Sequence, residues 1–195
     1  MYLSGKLRAD MPAMITPRMG QRPAVGQVWA ADNGRYASPQ DYTDDGYLAW
    51  LERMAPYRAD CLFATAPDTF GDAEATLRDS VPLLPRIRAA GYPAALVAQP
   101  AMTVDAVPWE LVDVLFVGGP NHWQHSEPLI ELVAEAKRRG KWVHMGRVNS
   151  HRRTVYAESI GCDSVDGTYL RFRPYGRPDL WADHANANPS IWRET

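Results

Sequence analysis

The chain has 195 residues, 46% of them apolar, and a formal charge of −2 at neutral pH. That suffices for one buried core, and no stretch approaches the roughly 18 to 20 uncharged apolar residues that a membrane-spanning helix needs. The N-terminus shows no basic region followed by an apolar one and a small-residue cleavage site, so the expected setting is the cytoplasm, with no membrane partner. Cys61 and Cys162 stand far apart in no metal-like pairing, which argues against a structural zinc or a disulfide framework.

Taken in chain order, short β-rich runs alternate with segments of helical spacing. Gly26 to Ala31 predicts a strand ending at Asp32, and Asp41 to Met54 predicts a helix with Tyr47, Leu48, Trp50 and Leu51 on its apolar face. Cys61 to Ala66 predicts a strand that ends at Pro67-Asp68. Asp72 to Ala90 reads as a helix capped at Asp72 or its neighbour and stopped by Gly91, which Pro82 and Pro85 must kink or divide. Ala94 to Ala98 is a strand carrying Gln99 at its end, and Val112 to Val117 is another, closed by Gly118-Gly119. Ser126 to Arg139 is the clearest helix, with Pro128 near its start and Gly140 beyond its end. Trp142 to Met145 predicts a strand, Ser150 to Ser159 a helix, and Ser164 to Thr168 a last short strand.

This alternation predicts parallel strands joined by right-handed crossovers. Six strands are read in this way, and Met1 to Leu7 or Ala13 to Thr16 offers a further one. A closed eight-stranded barrel typically takes about 250 residues, so the expected fold is a trimmed TIM-like (β/α)8 barrel, an α/β architecture. An open doubly wound sheet is the alternative, although no Gly-x-Gly-x-x-Gly or Walker-type loop follows any strand. The expected division is a catalytic barrel over residues 1–173 and a wrapping or flexible tail over residues 174–195, rich in Pro, Asn and Trp.

In such folds the residues just after the strand ends build the site. Here those positions carry Asp32, Asp68, Gln99 and Gly118-Gly119, and the last short strand carries Asp166. Three carboxylates, an amide and bare glycine backbone suit a planar hydrogen-bonding ligand, such as a purine, and chemistry at a carbon beside it. Taken singly, each has an ordinary use: Asp32 before Asn33-Gly34 as a turn residue, Asp68 as a helix cap, Gly118-Gly119 as a strand exit, Asp163 and Asp166 as solvated loop acids. Charge is uneven as well. Ten basic residues against three acidic ones lie between Lys137 and Arg177, a local +7 that leaves −9 elsewhere. Lys137 to Lys141 suits a helix C-terminus, whereas Arg147, Arg152, Arg153, Arg171 and Arg173 suit contacts to a polyanion.

In order, these strings resemble the tRNA-guanine transglycosylase family, barrel enzymes that exchange guanine for a 7-deazaguanine base. Asp32-Asn33-Gly34-Arg35-Tyr36 is similar to that family's Asp-Ser-Gly-Gly-Tyr/Phe, Pro67-Asp68 to its second base-binding aspartate, and Val97-Ala98-Gln99-Pro100 to its Val-Gln-Gly. Phe116-Val117-Gly118-Gly119 resembles Ala-Val-Gly-Gly, His144-Met145-Gly146 resembles Leu-Met-Gly, and Gly161-Cys162-Asp163-Ser164-Val165-Asp166 resembles Gly-x-Asp-x-Phe-Asp. The order is unbroken over residues 28–170.

The resemblance implies a glycosyltransferase in which Asp166 attacks the C1′ carbon to give a glycosyl-aspartate, while Asp32 serves as general acid and then general base. It further implies that Asp68 accepts from the N1–H and 2-amino edge of guanine, that Gln99, Gly118 and Gly119 line the O6 side, and that Tyr36 and Met145 sandwich the ring. The family's Cys-x-Cys-x-x-Cys zinc site has no counterpart here, so no cofactor is expected. Its Leu-Ala-Val-Gly-Glu continuation is replaced by Pro120-Asn121-His122-Trp123-Gln124; without the glutamate a neutral 7-substituent such as a nitrile becomes plausible beside the cationic aminomethyl group. A short zinc-free relative resembles the DNA-modifying branch, often carried by phages, whose 7-deazaguanines block restriction cleavage. The expected partners are therefore DNA, ahead of tRNA or free nucleosides, a 7-deazaguanine base, and a second copy in a homodimer; a noncatalytic base-binding or nucleic-acid-binding barrel is the alternative of a different class.

Overall fold

A computed structural model describes residues 12–167. The proposed tail 174–195, the boundary before it, and the candidate residues Arg171 and Arg173 lie outside the described residues, as does the Met1 to Leu7 segment.

Seven parallel strands form one sheet in the order of the chain: β1 (Ala13–Ile15), β2 (Trp29–Ala31), β3 (Cys61–Thr65), β4 (Ala94–Ala98), β5 (Val114–Val117), β6 (Trp142–Met145) and β7 (Ser164–Val165). Helices fill the crossovers: α1 (Asp44–Arg53) before β3, α2 (Ala73–Ser80) and α3 (Leu84–Ala89) before β4, α4 (Glu127–Arg138) before β6, and α5 (His151–Ser159) before β7. Strand order never reverses, which removes the doubly wound alternative, because that fold needs a switch point where the order turns back. The sheet is a curled half-barrel of parallel strands.

Side-chain parity separates its two faces. Trp29, Ala31, Leu96, Ala98, Leu115, Val117, Val143 and Met145 point outward and share one apolar core with Leu51, Ile87, Leu129, Leu132 and Val133 of the helices. Met14, Ala30, Phe63, Ala95 and Val114 point inward and pack on one another, with Phe116 and Trp142 against them. A register shift helps to set this face. Trp29 pairs with Cys61 but Ala31 with Ala64, so β3 carries one extra residue, a bulge at its centre. The bulge leaves Phe63 and Thr65 on the inner side and aims the end of β3 toward the cavity.

Local chemistry accounts for the helix ends. Thr43 caps α1 by accepting from the Gly46 N–H, Asp72 caps α2 by accepting from Ala75, and Ser150 caps α5 by accepting from Arg153. The segment from Asp72 to Ala90 divides at Val81 to Leu83 into α2 and α3, with Pro82 in the break and Pro85 in the first turn of α3, where its missing N–H costs no helical hydrogen bond. Ala13–Ile15 supplies the seventh strand.

Candidate active site

The inward parity of each strand, continued one or two residues past its end, delivers polar groups to one place. Asp32 follows Ala30, Gln99 follows Val97, Gly118 follows Phe116, Gly146 follows His144, and Asp166 follows Ser164. Together with Asn33, Tyr36, Thr65, Asp68, Phe70, Gly119 and Arg147, these residues line a cavity of about 200 Å³ at the C-terminal ends of the strands. That volume lies below the roughly 300 to 1,000 Å³ of pockets for drug-sized ligands. It is room for a small ligand only.

Asp166 is the most enclosed acid, 4% exposed. Its Oδ1 accepts from the Arg147 backbone N–H at 2.8 Å and its Oδ2 lies 3.2 Å from His144 Nε2. Burial alone would raise its pKa, but the hydrogen bonds from His144 and the Arg147 N–H oppose it, and the carboxyl is held below the usual value. The next residue has to be glycine, since a Cβ at Gly167 would fall 2.1 Å from the Val148 carbonyl oxygen.

Asp32 is driven the other way. Its Oδ1 accepts from the Gly34 N–H at 2.8 Å, the turn geometry that the Asp-x-Gly string suggests. Burial, opposed by that hydrogen bond and helped by the charges of Asp68 and Asp166, pushes it up to about 6. Asn33 anchors the turn: its backbone and side-chain N–H groups donate to Thr65 Oγ1, its Nδ2 donates also to Ala66 O, and its Oδ1 accepts from Arg35. Asn33 thus welds the end of β2 to the end of β3, and Asp32 rides on that joint.

Asp68 lines the cavity and caps no helix; the cap is Asp72. Burial raises the pKa of Asp68, against the Gln99 hydrogen bond and the charges of Arg35 and Arg147. Gln99 accepts from the Gly71 N–H at 3.0 Å through Oε1, which fixes its flip and turns Nε2 to Asp68 Oδ2 at 2.7 Å. The amide donor that the resemblance assigns to O6 is therefore engaged by Asp68. Gly118 keeps the adjoining wall low: a Cβ there would meet Val97 Cγ1 at 2.7 Å and Gln99 Nε2 at 3.0 Å.

Met145 is not in the cavity. It stands between the inward His144 and Gly146 on β6, so it points outward and is fully buried in the helix-side core. Aromatic surface comes instead from Tyr36, 67% exposed, and Phe70, 43% exposed, whose ring centroids are 5.5 Å apart at the mouth. The Arg147 guanidinium lies 5.0 Å from the Phe70 centroid and donates to the Gly119 carbonyl. The motifs do not single out Phe70, Phe116 and His144 as site residues; strand parity counted back from Gly146 and Gly118 finds His144 and Phe116, whereas Phe70 sits on a loop where no period applies.

The basic residues fall into two groups. Lys137 pairs with Asp163, Arg138 and Arg139 pair with Glu135, and Arg139 lies over Trp109. These residues end α4, which leads into the start of β6, so they occupy the end of the sheet opposite the cavity. Arg147, Arg152 and Arg153 follow the other end of β6: Arg147 lines the cavity, and Arg152 and Arg153 lie in the first turn of α5. Arg152 is exposed, while Arg153 clasps Asn121 Oδ1 at 2.7 Å and Gln124 Oε1.

Among the described residues no group of three or more His, Cys, Asp or Glu side chains is placed to hold a metal ion. No helix among them is long and apolar enough to cross a membrane. No family model and no curated protein matches the chain. Among solved structures it is similar to one described as the PaMucR phosphodiesterase in complex with c-di-GMP, at 14% identity and a TM-score of 0.47, covering 75% of this chain and 61% of that one. The chain thus spans less than two thirds of that structure's length.

Proposed function

We propose that this protein is a transglycosylase that exchanges guanine in DNA for a 7-deazaguanine base, on a trimmed TIM-like (β/α)8 barrel related to the tRNA-guanine transglycosylases. The observation that carries the reading is a pair of carboxyls in one base-sized cavity, Asp166 held ionised and Asp32 pushed up to about 6. Two acids whose surroundings separate their pKa values are the usual mark of a nucleophile and its acid-base partner.

In this reading the Asp166 carboxylate forms a bond to C1′ of a deoxyguanosine as the C1′–N9 bond breaks, and the electron pair leaves with guanine. Protonated Asp32 supplies the proton that neutralises the departing base. The incoming 7-deazaguanine gives its N9 proton to Asp32, bonds to C1′ and releases Asp166. Asp68 accepts from the N1–H and 2-amino donors that guanine has and adenine lacks, with Gln99 and the Gly118-Gly119 backbone on the O6 side. Tyr36 and Phe70 provide the ring faces in place of Met145. The site sits inside the strand ends, so in this reading the target base leaves its stack to enter, with Arg147, Arg152 and Arg153 outside on the flanking phosphates. A homodimer would give these arginines a longer DNA track.

The test is incorporation of radiolabelled guanine into DNA and bulk tRNA in parallel by the wild-type protein and Asp166→Ala, with 7-cyano- and 7-aminomethyl-7-deazaguanine as competitors. Label entering DNA alone, and only with Asp166 present, supports the proposal, and the stronger competitor identifies the base. Label entering tRNA replaces the substrate; label entering neither, from folded protein that still binds guanine, replaces the enzyme with a base-binding barrel.

A further inference from the structure

Beneath the cavity floor lies a polar chain that the reaction above does not use. His144 is fully buried on the inner face of β6, between the rings of Phe63 and Phe116 at centroid distances of 5.0 and 4.7 Å. His144 itself is not among the lining residues, but it touches two that are, Asp166 and Phe116. A fully buried imidazole amid aromatic rings is an unusual neighbour for an apolar half-barrel interior, and its hydrogen bonds among the described residues run to Ser164 of β7 and to Asp166 just beyond it.

We propose that His144 is the positioning residue for Asp166, a neutral imidazole whose Nε2–H holds the carboxylate and whose Nδ1 accepts from Ser164, itself held by the Trp142 indole. The inference takes from the proposed function only that Asp166 is the reacting group.

Donor and acceptor inventories fix the assignment. The Trp142 indole N–H can only donate, so Ser164 Oγ, 2.9 Å away, accepts from it. The Ser164 O–H is then available for His144 Nδ1 at 2.7 Å. A bare Nε2 would set its lone pair against the Asp166 Oδ2 lone pairs at 3.2 Å, so Nε2 carries a proton. The one remaining choice is whether Nδ1 carries a proton too. Burial lowers the pKa of His144 and outweighs the opposing pull of Asp166, which leaves Nδ1 bare and accepting from Ser164. The chain runs Trp142 N–H to Ser164 Oγ, Ser164 O–H to His144 Nδ1, His144 Nε2–H to Asp166 Oδ2.

The far oxygen is held as firmly. The Arg147 backbone adopts φ 59°, in the left-handed region, and its N–H reaches Asp166 Oδ1. One donor on each oxygen fixes the plane of the carboxylate and leaves a lone pair on each for attack. A nucleophile that approaches C1′ in line benefits from that constraint, since a misplacement of about 1 Å costs about a hundredfold in rate. His144 touches no reacting atom; it acts through Asp166.

The experiment joins a spectroscopic measurement with kinetics. In wild-type protein labelled with ¹⁵N-histidine, the His144 ring at pH 7 is expected to show one protonated nitrogen, Nε2, and one bare nitrogen, Nδ1; a doubly protonated ring, or a proton on Nδ1 alone, overturns the proposal whether or not the protein exchanges bases. His144→Leu is expected to lower kcat for base exchange about a hundredfold with KM for the base within about twofold, while His144→Gln, which presents an amide N–H to the same oxygen, recovers at least about tenfold of that loss. Unchanged kcat in folded His144→Leu, or a Gln variant no better than Leu, makes His144 a packing residue and rejects the inference. If His144→Leu does not fold, the Gln variant and the ring assignment decide. An absence of exchange in wild-type protein with the expected ring assignment would instead count against the transglycosylase reading and leave the tautomer and its hold on Asp166 standing.

Discussion

Asp32 and Asp166 face one cavity from opposite parts of the sheet, beyond β2 and β7, and their surroundings drive the two carboxyls apart: Asp32 up to about 6, Asp166 below its usual value. Asp32 feels the charge of Asp166, and of the two only Asp166 has two donors fixed on its oxygens. Asp32 has the single Gly34 N–H. The number of hydrogen-bond donors separates roles that residue type leaves identical.

Removing the nucleophile separates chemistry from binding. Asp166→Ala is expected to lower base exchange about 10,000-fold or more while the affinity for guanine, measured by calorimetry, changes only a few-fold. Asp32→Asn is expected to lose turnover as well, because an amide cannot shuttle the proton.

The same two shifts set a pH profile. Asp32 is protonated below about 6 and Asp166 ionised above its lowered pKa, so kcat/KM for release of guanine is expected to be high from the lower edge of that window to about pH 6 and to fall tenfold per unit above it. A profile flat through pH 5 to 8 would remove Asp32 from the proton transfer.

Asp32 also carries a cost in stability that can be read without a substrate. A carboxyl whose folded pKa is raised from 3.8 to about 6 destabilises the fold increasingly as pH rises through that interval, with the full penalty above it and none below. Asn at this position keeps the acceptor for Gly34 and removes the charge. Urea unfolding is expected to show Asp32→Asn more stable than wild type by roughly 2 kcal/mol at pH 7.5, a value discounted for the side of Asp32 open to the cavity, and equal near pH 4.

The two arginine groups should differ in their effect on DNA. Arg152→Ala, at the cavity end, is expected to weaken binding across sequences and reduce the salt slope by about 1. Arg138→Ala, at the opposite end and paired with Glu135, is expected to leave both unchanged. Equal effects would place the DNA elsewhere. Arg153→Ala is a poorer probe, because it also frees Asn121 and Gln124.

Gly118 tests the base slot. Gly118→Ala puts a methyl group into the space of Val97 and Gln99, and overpacking of that kind costs about 1 to 3 kcal/mol. Base affinity should fall and the Gln99–Asp68 hydrogen bond should be disturbed, as a loss of binding seen by calorimetry.

Much of this arrangement is legible in the sequence because a parallel strand announces itself as a short β-branched run and places its polar residue at a fixed end. Asp32, Asp68, Gln99, Gly118 and Asp166 all follow such runs and all reach the cavity. Pro82 and Pro85 likewise mark the division between α2 and α3. What the runs do not announce is parity: Met145 and His144 are neighbours on β6, one turned to the helices and one to the interior, and only the register of the sheet decides which. Phe70 lies on the loop between β3 and α2, beyond any period. The bulge in β3 and the Trp142–Ser164–His144 chain depend on contacts between strands distant in sequence.

The most direct test of the account is to trap the covalent intermediate. The protein is incubated with a guanine-containing oligodeoxynucleotide, quenched in denaturant, and examined by intact-mass and peptide-mapping mass spectrometry. The expected result is an adduct of the protein with the oligonucleotide less guanine, mapped to Asp166 and absent in Asp166→Asn. An adduct on another residue, or base exchange that proceeds undiminished in Asp166→Asn, would contradict it.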